Sequence, residues 1–273
     1  MIGAIVGDIA GSRFEFRNRK SKKFTFLKGP GGEYPCYFTD DTVMTLAVAD
    51  AIMRWRDSGE GSCNALSEAA VRSMLEFGRR HPHAGYGESF ASWLMDEKHK
   101  PYNSWGNGAA MRVSACGWAG QTLDEVKAFS RAVTEVTHNH PEGIKGAEAT
   151  AVSTFLARTG STMAEIREIV AGDYYSIDFT LDEIRSDYWF DVSCQGSVPQ
   201  ALEAFFESIS FEDAIRNAIS IGGDSDTIAA ITGAVAGAYY GVPPSIKIKA
   251  ESFLSPDLLS ALRRTEHMLA VKA

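Results

Sequence analysis

At 273 residues, 45% hydrophobic and 11% aromatic, the chain can bury one large core or two small ones. A net charge of −8, from 27 Lys plus Arg against 35 Asp plus Glu, gives no general nucleic-acid signal. The four scattered cysteines (Cys36, Cys63, Cys116, Cys194) form no CxxC pair, which argues against a thiolate zinc site or disulfide frame and for reduced thiols in the cytoplasm.

The first eight residues lack a basic flank, and Asp8 interrupts their apolar run, so they do not read as a signal peptide. No stretch reaches the ~20 apolar residues of a membrane span. Gly3, Gly7 and Gly11 recur at i, i+4 and i+8, on one face of a helix over 2–12. Glycine costs about 1 kcal/mol in a helix interior, so three at this spacing imply a close helix contact. Gly233, Gly237 and Gly241 repeat the pattern. The two helices are therefore expected to pack together and to carry Asp8 toward the site. The spacing is not GxGxxG, and no Gly-Lys-Ser/Thr follows, so neither a dinucleotide fold nor a P-loop is indicated.

Residues 13–38 read as a long polar loop holding Glu15, the basic run from Arg17 to Lys23, and Gly29-Pro30-Gly31-Gly32. Loops of this length are usually functional, often as lids. The basic run reads as a solvated edge, with attraction of a phosphate-bearing ligand as the alternative.

Thr39-Asp40-Asp41-Thr42 then opens an apolar run of helical period, and Asp224-Ser225-Asp226-Thr227 opens another. Thr and Asp cap helix N-termini, but capping accounts for one such residue per helix rather than two carboxylates and two hydroxyls. Four aspartates brought together would repel and raise one another's pKa unless a cation sat among them. All-oxygen ligands suit hard cations, Mg²⁺ or Mn²⁺ before zinc. Four carboxylates could hold two such ions about 3.5–4 Å apart. The competing reading is two acidic helix caps far apart in space. Neither cluster continues into an EF-hand loop.

Helical periodicity dominates from residue 42. Helices are expected near 42–57, 63–79, 86–96, 107–119, 122–136, 143–158, 162–171, 179–185, 197–208, 211–220, 226–240, 244–253 and 256–270. Residues 188–192 alone suggest an extended piece. No linker or repeat interrupts the pattern, so residues 1–273 are expected to form one compact all-α domain, monomeric by default.

Three loops break the pattern. Asn103-Ser104-Trp105-Gly106-Asn107-Gly108-Ala109-Ala110-Met111-Arg112 offers small residues for backbone approach to a ligand and Trp105 for stacking, or else a tight turn with a cap. In Thr137-His138-Asn139-His140-Pro141, His138 reads as a substrate hydrogen-bonding group and His140 as the residue before a helix. The stretch 81–87 reads as an ordinary loop, and Cys194–Pro199 as a further candidate to line the cleft.

These segments together resemble the ADP-ribosylglycohydrolase family. The matching stretches are Gly7-Asp8-Ile9-Ala10-Gly11 with Glu15-Phe16, Thr39-Asp40-Asp41-Thr42, Ser104 to Arg112, Thr137-His138, and Gly222-Gly223-Asp224-Ser225-Asp226-Thr227-Ile228, in family order from residue 3 to 241. The resemblance implies an orthogonal multi-helix bundle with a binuclear Mg²⁺ or Mn²⁺ centre. Thr39, Asp40, Asp41, Asp224, Asp226 and Thr227 match the metal ligands. Ser104, Trp105, Asn107, Gly108 and His138 match substrate contacts, and Glu15 matches a mobile-loop glutamate. Catalytic work falls to Glu15, Asp41 and Asp226.

The implied activity is hydrolysis of the bond between ADP-ribose C1″ and an acceptor, an ADP-ribosylated arginine or serine side chain, or a small ADP-ribose conjugate. O-acetyl-ADP-ribose hydrolysis, action on ADP-ribosylated nucleic acid, and a non-catalytic ADP-ribose-binding relative are the alternatives. Some members use a further acidic residue before the Asn107 loop. Glu76, Glu88, Asp96 and Glu97 are available there without a motif to choose among them. Asp224-x-Asp226-Thr227 also resembles a phosphatase nucleophile loop, but that loop needs a preceding parallel strand.

Overall fold

The computed structural model describes residues 1–31 and 33–270; Gly32 of the long loop and residues 271–273 of the expected domain lie outside them. Fourteen α-helices are described: α1 Ile2–Gly11, α2 Asp40–Ser58, α3 Cys63–Arg80, α4 Glu88–Met95, α5 Ser114–Ala119, α6 Leu123–Thr134 and α7 Pro141–Arg158. The second half adds α8 Met163–Asp173, α9 Leu181–Ile184, α10 Cys194–Phe206, α11 Phe211–Ser220, α12 Ser225–Tyr239, α13 Pro244–Glu251 and α14 Pro256–Ala270. No strand occurs among the described residues, and the fold is all-α.

Two helices form the centre. Every residue of α1 from Gly3 to Gly11 is buried, as is every residue of α12 from Ser225 to Ala236. A helix that is apolar all round belongs inside. Around α12 stand α1, α7, α10 and α11, while α2 packs on α1, α3, α5 and α14. The α1–α12 contact is backbone on backbone. A Cβ on Gly3 would lie 2.1 Å from Gly233 O, one on Gly7 1.9 Å from Ala229 O, and one on Gly11 2.4 Å from Ser225 O. Gly237 meets Gly3 in the same way. Gly241 departs from the expected pattern: at φ +74° it follows the end of α12 in open space.

The expected helix over 107–119 is broken. Asn107–Ala109 is a short 3-10 turn, and α5 begins only at Ser114. Gly106 and Gly108 weaken the helix, and the Asn107 amide is drawn outward to Val192 O at 2.7 Å. Cys194 N bonds Trp105 O at 2.9 Å, and Gly106 pairs with Ser193 in an isolated antiparallel bridge. The extended stretch after residue 188 is thus a clasp on the Asn107 loop rather than part of a sheet. The helix expected over 179–185 shortens to Leu181–Ile184, closed by a Thr180–Glu183 capping box.

The basic run is a fastening rather than a free edge. Lys20 Nζ donates to Tyr188 O at 2.5 Å and Ile221 O at 2.6 Å, the latter at the C-terminus of α11, where carbonyls favour a cation. Asn18 Oδ1 accepts from Gly223 N, Lys22 pairs with Asp213, and Arg216 holds the carbonyls of Lys22 and Phe24. These bonds draw the 13–38 loop across the approach to α12.

Because overpacking a tight contact costs about 1–3 kcal/mol, Gly3→Ala is expected to lower unfolding free energy by about 2 kcal/mol or more. Gly172→Ala in α8, with nothing within 4 Å of the added carbon, is expected to be neutral or stabilising. Urea midpoints read both. Equal effects would contradict the proposed sensitivity of the α1–α12 contact.

Candidate active site

The site is assembled by Asp8. Standing on α1, its carboxylate accepts from Thr39 N at 3.0 Å, Thr39 Oγ1 at 2.7 Å, Thr42 N at 3.0 Å, and Thr42 Oγ1. The first turn of α2 has free N–H groups, and Asp8 satisfies them from a neighbouring helix. Thr39 Oγ1 also accepts from Asp41 N at 3.3 Å, the local cap. Asp40 and Asp41 are therefore released from capping and held beside α1.

The second cluster arrives by a different turn. Gly222 and Gly223 both have positive φ (+74° and +71°), where L side chains are strained, and they turn the chain from α11 into α12. Asp224 takes the N-cap position of α12 but makes no side-chain cap hydrogen bond. Its Oδ2 accepts from Asn107 Nδ2 at 2.7 Å, and Ser197 Oγ accepts from the same amide at 3.0 Å. Thr227 Oγ1 donates to Asp41 Oδ2 at 3.1 Å, joining the N-termini of α2 and α12 directly. Carboxylate oxygens of Glu15, Asp224 and Asp226 lie within 4.8 Å of one another.

A cleft of about 450 Å³ opens onto these groups, lined among others by Glu15, Asp40, Asp41, Asp224, Asp226 and Thr227. Ser104, Gly106, Asn107, Gly108 and His138 line it too. His138 is buried, with Nδ1 2.7 Å from Thr137 Oγ1 and 3.5 Å from Arg112 Nη2. Thr137 Oγ1 itself accepts from Arg112 at 2.6 Å. Donors thus face Nδ1, which leaves the ring proton on Nε2, the atom beside Gly106 and Gly108. Burial first, then the Arg112 charge, holds His138 well below the usual histidine range, so the ring is neutral.

The ADP-ribosylglycohydrolase family model matches residues 1–268. The chain belongs to the ADP-ribosylglycohydrolase family. The chain is accordingly a hydrolase enzyme of this family. Similar relatives include the ADP-ribosylhydrolase ARH3 of Gallus gallus, 27% identical over 93% of this chain and 88% of that protein. Another is the ADP-ribosylarginine hydrolase Tri1 of Pseudomonas putida, 29% identical over 89% of this chain and 70% of its own length. A solved chain described as an ADP-ribosylglycohydrolase-related protein complex superposes with a TM-score of 0.68 at 23% identity, covering 97% of this chain and 96% of the other.

Of the twelve residues expected as catalytic, ligand or substrate-contacting groups, the cleft gathers all but two. Thr39 lies beneath it, bonded to Asp8, and Trp105 lies beside it, half-exposed, with its ring edge-on to His140. His140 is the N-cap of α7, as expected. The 81–87 loop is more than an ordinary connection: Gly85 and Gly87 line the cleft, and a Cβ on Gly85 would sit 3.5 Å from Asp40 Oδ1. Cys194 and Ser197 support the Asn107 loop from behind instead of lining the cleft. Among the four spare acids, Glu88 reaches the lining, while Glu76 is spent on Arg54 and Arg80. Phe190 and Tyr102 also line the cleft with no motif in the chain to point to them, as do Phe16 and Arg112, which fall in matching stretches without an assigned role.

The electrostatics fit a cation. Asp41 Oδ1 and Asp226 Oδ1 are buried without any hydrogen-bond partner. An unpaired buried acceptor costs about 1–3 kcal/mol, more if charged. The donor set is all oxygen, as hard divalent cations require. Burial first, then neighbouring carboxylates, drives Asp41 and Asp226 well above the carboxylate range. By the same causes Asp40 rises from 3.8 to about 8 and Glu15 from 4.5 to about 7. Asp8 reaches only about 6, since burial is opposed by its four donors.

Each of these carboxyls has a folded value above its unfolded one. The contribution to stability is complete below about pH 4; for Asp8 it is lost as pH climbs through about 6, and for Glu15 and Asp40 through about 7 to 8. In chelator, the thermal midpoint is therefore expected to fall between pH 5 and pH 8. Added Mn²⁺ or Mg²⁺ should raise it more at pH 8 than at pH 5, because fewer protons compete there. A metal-induced shift equal at both ends would contradict this electrostatic account.

Proposed function

We propose that this protein hydrolyses the bond between C1″ of ADP-ribose and an acceptor side chain, arginine or serine, within a single domain. The observation that carries this reading is the convergence of two acidic helix N-termini on one cleft, with two buried carboxylate oxygens left without partners. Family membership supplies the reaction class, and the activities of the similar ADP-ribosylhydrolases suggest the ADP-ribose conjugate.

Asp40, Asp41, Asp224, Asp226, Thr39 and Thr227 would hold two Mg²⁺ or Mn²⁺ ions. When bound, such ions offset the carboxylate charge, engage ribose hydroxyls and make a nearby water more acidic. Thr39 and Thr227 give their hydroxyl hydrogens to Asp8 and Asp41, which leaves oxygen lone pairs for a cation. Asn107 orients Asp224 through its amide.

Glycosidic cleavage needs a group that takes a proton from water and one that gives a proton to the leaving group. Glu15, half-buried and held at about 7, can carry or release a proton near neutrality and is the first candidate. Asp41 and Asp226 would share in accepting the water proton. Glu88, on the cleft wall, is the second candidate acid. His138 would donate from Nε2 to the nucleotide, with Ser104 and Gly108 beside it and Trp105 at the margin.

Release of free ADP-ribose from an arginine-linked and a serine-linked peptide, each with Mg²⁺, Mn²⁺ or chelator, tests the reading. Metal-dependent release from one of them is expected. Asp41→Ala and Asp226→Ala should each lower turnover at least about a hundredfold, with the helical circular-dichroism spectrum retained. Near-normal turnover in either variant would sink the assignment.

A further inference from the structure

A second groove, of about 500 Å³, lies on the other side of Phe16 from the cleft. Its walls are Ser12, Arg13, Phe16, Arg17, Tyr34, Pro35 and Tyr37, and Phe16 alone lines both spaces. We propose that this groove is the acceptor subsite, which holds an acidic polypeptide segment flanking the modified residue. The inference rests on the hydrolase reading above and adds the class of acceptor.

Position makes the first case. Phe16 directly follows Glu15, whose carboxylate stands with Asp224 and Asp226. Ser104, Gly108 and His138, read above as nucleotide contacts, line the cleft but not the groove. A bond broken at the acidic cluster therefore releases its acceptor over Glu15, toward Phe16 and the groove behind it. Phe16 is 79% exposed and stacks on Phe190 with ring centroids 5.7 Å apart, so an apolar rim divides the two spaces.

Charge makes the second. Arg13, Arg17, Arg19, Lys20, Lys22, Lys23 and Lys28 crowd residues 13–28 with Glu15 as the only acid, in a chain of net charge −8. Lys20 and Lys22 are used to fasten the loop. Arg13 gives Nη2 to Thr25 O, while its Nε is buried without a partner. Arg17 is exposed, with its guanidinium over the Tyr34 ring. Neither arginine forms an ion pair with a carboxylate among the described residues. Stacked on Tyr34 and hydrogen-bonded to its hydroxyl, the Arg17 guanidinium still has further N–H groups to offer a carboxylate.

The same stacking disfavours a nucleic acid. Arg17 takes one face of Tyr34 and Phe190 one face of Phe16, so each ring has at most one face left for a base. Carboxylates of a peptide remain the matching partners.

The test uses the full chain and peptides carrying one ADP-ribosylated arginine or serine, flanked on both sides by aspartate, alanine or lysine. The isolated ADP-ribosylated amino acid serves as the control. For the wild type, kcat/KM should follow aspartate over alanine over lysine, by about fivefold per step at low salt, and the spread should shrink as salt rises. Arg17→Glu should reverse the order, mainly through KM, and leave the control rate within about twofold; Arg17→Lys should restore most of it. Equal rates on all three peptides, or an order unchanged by Arg17→Glu, would overturn the subsite while leaving the hydrolase reading intact. Preference for an ADP-ribosylated oligonucleotide over the aspartate peptide would also overturn it. Loss of hydrolysis on peptides and control alike in the wild type would overturn both.

Discussion

The arrangement depends on two helices touching through their backbones. Glycines at positions 3, 7 and 11 let α1 lie against α12 so closely that no β-carbon fits between them. That contact fixes Asp8, one residue after Gly7, at the N-terminus of α2, where it accepts four hydrogen bonds from Thr39 and Thr42. The N-terminus of α12 then stands opposite, and Thr227 closes the gap to Asp41. A helix contact made for packing thus becomes the device that collects acids.

Collecting acids is costly in a protein interior, because buried like charges repel and each loses its hydration. The fold offsets part of that cost and leaves part. Asp8 is fully bonded and Asp224 is held by Asn107, whereas Asp41 and Asp226 each keep an oxygen buried and unpaired. A chain selected for stability alone would gain by replacing such groups with apolar ones of similar volume. On the proposed reading, a bound cation offsets that remaining cost.

Much of this was legible in the sequence because it is written in local spacing. The i, i+4, i+8 glycines announced the α1–α12 contact, and Thr39-Asp40-Asp41-Thr42 held more acids than a cap uses. Helix ends marked by Thr and Ser caps fell within a few residues of their expected places. Less legible was whatever depends on partners distant in the chain. Nothing local says that the 107–119 stretch gives up its helix to bond Val192, or that Lys20 reaches the α11 C-terminus. Gly85 reads as a turn glycine until Asp40 is placed beside it. Phe16 and Phe190 meet across more than half the chain, and only the fold makes them one rim.

On this account the acids of α2 and α12 form a cation site, held in place by Asp8 of α1. Anomalous diffraction from crystals grown with Mn²⁺ tests it most directly. Two anomalous peaks about 3.5–4 Å apart among Asp40, Asp41, Asp224 and Asp226 are predicted, with Asp41 Oδ1 and Asp226 Oδ1 among the ligands. Crystals that diffract well and show no peak there, at millimolar Mn²⁺ and pH 8, would contradict it.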